Sequence, residues 1–142
     1  MGFRQAEEIT LPLRFLTLTA HLVAVLCIVL DLDRTAARIA ETPADLSGIS
    51  RVLEPLAYTA MATLLVEVVG LFAGATIFNR GLTCLYILLH FIGAILTGLF
   101  VEQRWGLDAF IAIFTIFNAL PCTLELLCSS WYLKGRLQEY RK

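Results

Sequence analysis

Charge is scarce in this sequence. Only 16% of its 142 residues are Asp, Glu, Lys or Arg, against roughly 25% in soluble domains. A net charge of -1 supplies neither a basic surface for nucleic acid nor an acidic tail for a polycation. The cysteines Cys27, Cys84, Cys122 and Cys128 form no CxxC pair and all lie in apolar stretches. That argues against a disulfide framework or a zinc site and leaves them as small packing residues. HExxH, GxSxG, paired DxxD and a glycine-rich phosphate loop are all missing, so no motif points to an enzyme, and no cofactor or metal is expected. No Asn-x-Ser/Thr site offers a glycosylation marker of topology.

What fills the chain instead is apolar sequence: 58% hydrophobic residues and a mean hydropathy of +0.78. A bilayer core of about 30 Å takes roughly 20 apolar residues per helix. Four stretches meet that length: Leu13 to Leu30, Leu56 to Phe78, Gly81 to Val101 and Ala109 to Leu133. The expected fold is an all-α integral membrane protein, a single four-transmembrane-helix bundle over residues 1–142 with no second domain. Glu7 and Glu8 precede the first stretch and no small-x-small site follows it before Asp31, so it reads as a retained span rather than a signal peptide. Arg14 is expected to snorkel to the headgroups at its entrance.

The connections are short. Pro55 stands at a permissible first-turn position of the second span, and Asn79 and Arg80 alone separate the second span from the third, as a tight hairpin. The segment 31–55 is the one sizeable polar stretch. It holds a possible short helix with Leu32, Ala36 and Ile39 on one side and is expected to lie on the membrane surface. A short tail, 134–142, follows Trp131 and Tyr132, whose rings favour the interface. With four spans both termini share a side, together with the second loop. That side carries seven basic residues, Arg4, Arg14, Arg80, Lys134, Arg136, Arg141 and Lys142, against Arg34, Arg38, Arg51 and Arg104 opposite. The imbalance places both termini in the cytoplasm.

Each span brings a polar group to a similar depth: His21 in the first, Glu67 in the second, His90 in the third, Glu125 in the fourth. An ionisable group at mid-bilayer costs about 3 kcal/mol on insertion scales and turns toward the bundle interior, so Glu67 and Glu125 are expected to find hydrogen-bond partners such as His90 or His21. At about 100° per residue Glu67, Gly70 and Gly74 share a face, as do Tyr86, His90, Gly93 and Thr97. Gly70-x-x-x-Gly74 fits the pattern of close helix contacts. On the fourth span Thr115, Asn118, Cys122, Glu125 and Ser129 make a polar stripe, and Pro121 within it frees a carbonyl and predicts a kink.

Two functions suit this layer. It is hydrogen-bonded glue between helices, or His21, Glu67, His90 and Glu125 form the relay of a small proton- or ion-coupled carrier or channel subunit. Four short helices with no inverted repeat or broken-helix pair favour the first. In the third loop Glu102, Arg104 and Trp105 make an interfacial anchor or a docking site.

Four stretches, in order, resemble the transmembrane protein 107 family: the run Arg14 to Val23 (RFLTLTAHLV); Val66 to Gly70 (VEVVG) with Ile77, Phe78 and Asn79; His90 with Glu102, Gln103, Arg104 and Trp105; and Ala119, Leu120 and Pro121 with Glu125. The likeness runs from Arg14 to about Tyr132 and leaves out the first loop and both tails. The resemblance implies a non-enzymatic membrane subunit of the Meckel syndrome module at the ciliary transition zone, a structural part of the diffusion barrier that also supports cilium biogenesis. It also implies partners: tectonic proteins, small multi-span subunits, and C2-domain or cytosolic scaffold proteins, with membrane lipids around the helices and no nucleic acid.

Overall fold

In the computed structural model, residues 2–74, 76 and 79–139 are described, with side chains from Ile9 to Lys134. Ile77 and Phe78, which end the second expected span, and Arg141 and Lys142, which count toward orientation, lie outside the described residues. The element order is α1 (Gly2–Leu30), α2 (Leu32–Ile39), α3 (Pro43–Ala73), α4 (Arg80–Gln103), α5 (Leu107–Phe114), a π-helical turn (Thr115–Ala119) and α6 (Leu120–Glu139). Because α5, the π turn and α6 are continuous, four helical rods are long and apolar enough to cross a membrane: Ile9–Leu30, Pro43–Ala73, Arg80–Gln103 and Leu107–Lys134. The all-α, four-span architecture expected from the apolar runs is the one observed.

Each rod buries a single seam. On α4 the buried positions are Thr83, Tyr86, His90, Gly93, Thr97 and Phe100, and on α3 they are Leu53, Ala57, Ala60, Leu64, Glu67 and Leu71. The alternation of three- and four-residue steps keeps one stripe facing the neighbours, as in bundles of nearly parallel helices. α1 packs chiefly on α4 and α3, and α3 also on α6.

The distribution of polarity is inverted relative to a soluble protein. Arg14, His21, Glu67, His90, Asn118 and Glu125 are buried, while Leu16, Val69, Phe72, Leu127 and Trp131 are exposed. Water would penalise such an apolar exterior. A bilayer accepts it, because every rod satisfies its own backbone hydrogen bonds.

The first connection departs from the expected polar loop. α3 starts at Pro43, so Pro55 lies well inside the helix rather than in its first turn. A helix of 31 residues is about 46 Å long at 1.5 Å per residue, more than the hydrocarbon core needs. Its early turns, with Asp45, Arg51 and Glu54, therefore project beyond that core. α2 folds back on this extension. Ala36 joins Ile28, Leu53, Ala57, Phe100, Phe110 and Ile113 in an apolar cluster at this end of the bundle, with Leu32, Ile39, Leu46 and Ile49 against it. The Phe100 and Phe110 rings stack there, 4.9 Å apart.

The second connection is longer than two residues. α3 ends at Ala73 and Gly74 caps it in the left-handed conformation at φ 79°, its N–H donating to the Gly70 carbonyl at 3.1 Å. Such a cap favours glycine because a Cβ is strained at that φ. Gly74, Thr76 and Asn79 thus all lie in the second hairpin, between α3 and α4, and Asn79 starts α4 by accepting a hydrogen bond from the Leu82 N–H. This corrects both the expected end of the second span and the place of Gly74 on a helix contact face.

Candidate functional site

Of the residues that sequence periodicity assigned to helix faces, Glu67, Gly70, Tyr86, His90, Gly93, Thr97, Cys122 and Glu125 line one buried polar layer, whereas Gly74 and Thr115 do not. Arg14 does not snorkel. It is 1% exposed, and its Nη2 donates to Glu125 Oε2 at 2.9 Å while its Nη1 donates to Thr76 Oγ1 at 2.9 Å. The Thr76 hydroxyl lies 3.0 Å from both Glu125 carboxylate oxygens, with which it makes a bifurcated hydrogen bond. α1, the second hairpin and α6 are thereby tied at one point. The physical reason is that Arg14 and Glu125, on the buried seams of α1 and α6, face each other inside the bundle. A charge-assisted pair with a third hydrogen-bonding partner offsets the loss of solvation that either ion alone would suffer.

A second group lies deeper. Glu67 Oε2 is 2.9 Å from His90 Nε2, His90 Nδ1 is 3.3 Å from His21 Nδ1, and His21 Nε2 is 3.4 Å from Thr97 Oγ1. Tyr86 links the two groups: the Arg14 guanidinium stands 4.2 Å over its ring, and that ring stacks on His90 at 6.4 Å and 20°. A cation over an aromatic face gains most where water is excluded.

Two glycines make the room. A Cβ at Gly70 would lie 2.5 Å from Glu125 Oε1, and a Cβ at Gly93 would lie 2.5 Å from His21 Cε1. Each glycine thus faces the polar group of another helix, so close backbone approach and polar contact occur at the same place.

The fourth rod carries the π turn. One extra residue in a turn rotates the preceding helical segment relative to the next one. Asn118, Cys122 and Glu125 are buried and Ser129 is half-buried, but Thr115 is exposed, with its hydroxyl on the Ile111 carbonyl. The stripe expected at 100° per residue is thus cut short, because Thr115 lies on the far side of the inserted residue. Asn118 Nδ2 donates to the Ala60 carbonyl at 3.4 Å, joining this rod to α3. Pro121 is buried just after the π turn, where its missing N–H would otherwise break the regular ladder.

The third loop stands apart from this layer. Arg104 ends α4 at φ 56°, Glu102 and Arg104 are exposed, and Trp105 donates its indole N–H to Gln103 Oε1 at 3.0 Å while its ring packs on the apolar cluster. Sequence reasoning missed Arg14 and Thr76. The available signal was the pairing of an arginine and a glutamate at comparable depths on helices whose ends share a side. Among the described residues no group of three or more His, Cys, Asp or Glu side chains is placed to hold a metal.

Fold and site together define a small polytopic membrane protein, a four-helix bundle joined internally by a buried ionic and histidine layer. The chain belongs to the TMEM107 family, whose model, described as a transmembrane protein, matches residues 10–129. It is similar to transmembrane protein 107 of Danio rerio, 28% identical over 127 residues, covering 81% of this chain and 87% of the relative. The Mus musculus protein of the same name is 28% identical over 117 residues, covering 80% and 84%, and the Homo sapiens protein is 27% identical over 118 residues, covering 81% and 84%. None of these names carries a catalytic activity. No solved structure matches the chain.

Proposed function

We propose that this chain is a non-enzymatic membrane subunit of the ciliary transition zone, within the Meckel syndrome module, where it contributes to the gate that controls membrane-protein composition of the cilium and to cilium assembly. The observation that carries this reading is family membership across residues 10–129. The architecture supports it. With four spans and little mass outside them, the chain meets partners through helix faces and short loops, by lateral contact in the membrane. The partners of this reading are tectonic proteins, small multi-span subunits and C2-domain or cytosolic scaffolds.

The same reading puts both termini in the cytoplasm. Arg14 is used inside the bundle, so the basic residues on that side fall from seven to six, still more than the four opposite. Co-purification of a tagged chain from ciliated cells in mild detergent tests the assignment. Recovery of tectonic proteins is expected, and recovery no greater than with an unrelated four-span protein would contradict it.

One observation favours a second reading, a proton-coupled carrier or channel subunit: the unbroken chain from Glu67 through His90 to His21. Reconstituted liposomes separate the two. A pH-driven flux abolished by Glu67→Gln supports the carrier, and its absence supports the structural subunit.

A further inference from the structure

The layer contains an arrangement that a purely mechanical contact does not need. The groups facing it are Arg14 and His21 from α1, Glu67 from α3, Thr76 from the second hairpin, Tyr86, His90 and Thr97 from α4, and Cys122 and Glu125 from α6. Arg14 and Glu125 neutralise each other at 2.9 Å. Among the described residues Glu67 has one basic hydrogen-bond partner, His90 on Oε2, while its Oε1 has none, and His90 itself faces a second imidazole, nitrogen to nitrogen.

Two ring nitrogens that face each other need one proton between them: one donates and the other accepts. That choice sets the rest of the chain. If His90 holds the Nδ1 proton, its Nε2 is bare and accepts from Glu67 as a carboxylic acid. His21 then accepts at Nδ1 and donates from Nε2 to Thr97 Oγ1, and every member is neutral. If instead His21 holds the Nδ1 proton, His90 donates from Nε2 to a Glu67 carboxylate, and the Thr97 hydroxyl donates to His21 Nε2. The second arrangement has one proton fewer and one negative charge more. To pass from the first to the second, the Glu67 proton moves to His90 Nε2 and the Nδ1 proton of His90 moves to His21 Nδ1. The Nε2 proton of His21 leaves to a water molecule, and the Thr97 hydroxyl turns. No bond between heavy atoms forms or breaks.

We propose that Glu67, His90, His21 and Thr97 form a proton-binding chain that stores one exchangeable proton, and that gain or loss of this proton reverses the sense of all three hydrogen bonds. The proton-loaded form is the neutral one, with no imidazolium, because separated charge at this depth is costly. Thr97 and His21 are buried, and Thr97 lies one helical turn from Phe100, whose ring stacks on Phe110, so exchange with water is slower than at a surface histidine.

The chain has only two histidines, so nitrogen-15 NMR of histidine-labelled protein in lipid nanodiscs, purified without a histidine tag, reads four ring nitrogens. Toward acidic pH the protonated ones are expected to be His90 Nδ1 and His21 Nε2, and toward alkaline pH His90 Nε2 and His21 Nδ1. In Glu67→Gln the amide serves either sense at the same proton count, so the pattern becomes independent of pH. A wild-type pattern that does not change with pH, an imidazolium signal in the loaded form, or a change that persists in Glu67→Gln would overturn the proposal. If that variant does not fold, infrared spectra of the wild-type protein decide. A carboxylic-acid carbonyl band that disappears at the same pH as the tautomer change supports the chain, and a band that is absent or invariant contradicts it.

Discussion

Gly93 of α4 leaves the space in which the imidazole of His21 stands: a Cβ on Gly93 would come within 2.5 Å of His21 Cε1 and 2.9 Å of its Nδ1. Because His21 is held at Nδ1 by His90 and at Nε2 by Thr97, the ring has no free direction of retreat. Gly93→Ala is expected to destabilise the bundle by about 1–3 kcal/mol, the usual cost of overpacking, as measured by unfolding in detergent. Gly98, with nothing within 4 Å of a built Cβ, is the control. There alanine is expected to be neutral or to stabilise by about 0.4–1 kcal/mol through reduced freedom of the unfolded chain.

The pair Arg14 and Glu125 gives a second expectation. Removing one ion leaves the other buried and uncompensated, so Arg14→Met or Glu125→Leu alone is expected to cost about 3–5 kcal/mol. The double variant is expected to be more stable than either single one, since no charge is then stranded. Additive losses in unfolding experiments would show that the two side chains act separately.

Tyr86 offers a test of opposite sign. Its hydroxyl is buried beside the Glu125 carboxylate without a well-formed hydrogen bond among the described residues, while its ring carries the contacts with Arg14 and His90. Burying an unpaired hydroxyl costs about 1–3 kcal/mol. Tyr86→Phe keeps the ring and is therefore expected to unfold at the same or higher temperature than wild type, whereas Tyr86→Leu is expected to lower it.

How far these features were legible in the sequence differs from element to element. Four spans follow from run length alone, since few other structures use apolar stretches of that size. The inward direction of Glu67, His90, Gly93 and Glu125 follows from the cost of polarity in lipid. Helix ends did not follow. Hydropathy continues through Gly74 to Phe78, so only the left-handed cap of Gly74 reveals that α3 stops at Ala73. The polar residues 43–55 hide a helix that is held by packing against α2 rather than by its own apolarity. Arg14 was misread because a long cation near a span entrance usually reaches water, and only the proximity of Glu125 and Thr76 reverses that preference.

The π turn was illegible for a related reason: one inserted residue leaves composition unchanged and shifts only the phase. It also makes a prediction. Deleting the exposed Ile116 from the turn is expected to give a continuous α-helix that keeps Phe110 and Glu125 on the buried seam, so the variant folds and elutes as wild type. Deleting Ile95 from the regular helix α4 is expected to rotate one half of its seam outward and prevent folding. Equal behaviour of the two deletions in size-exclusion chromatography would contradict this reading of the turn.

The proposed place of action is the base of the cilium. Imaging of a tagged chain expressed at native level in a ciliated cell tests it most directly. Enrichment at the base of the cilium, between the basal body and the ciliary shaft, is the predicted result. Uniform staining of the endoplasmic reticulum or cell surface, with no enrichment at the ciliary base, would contradict it.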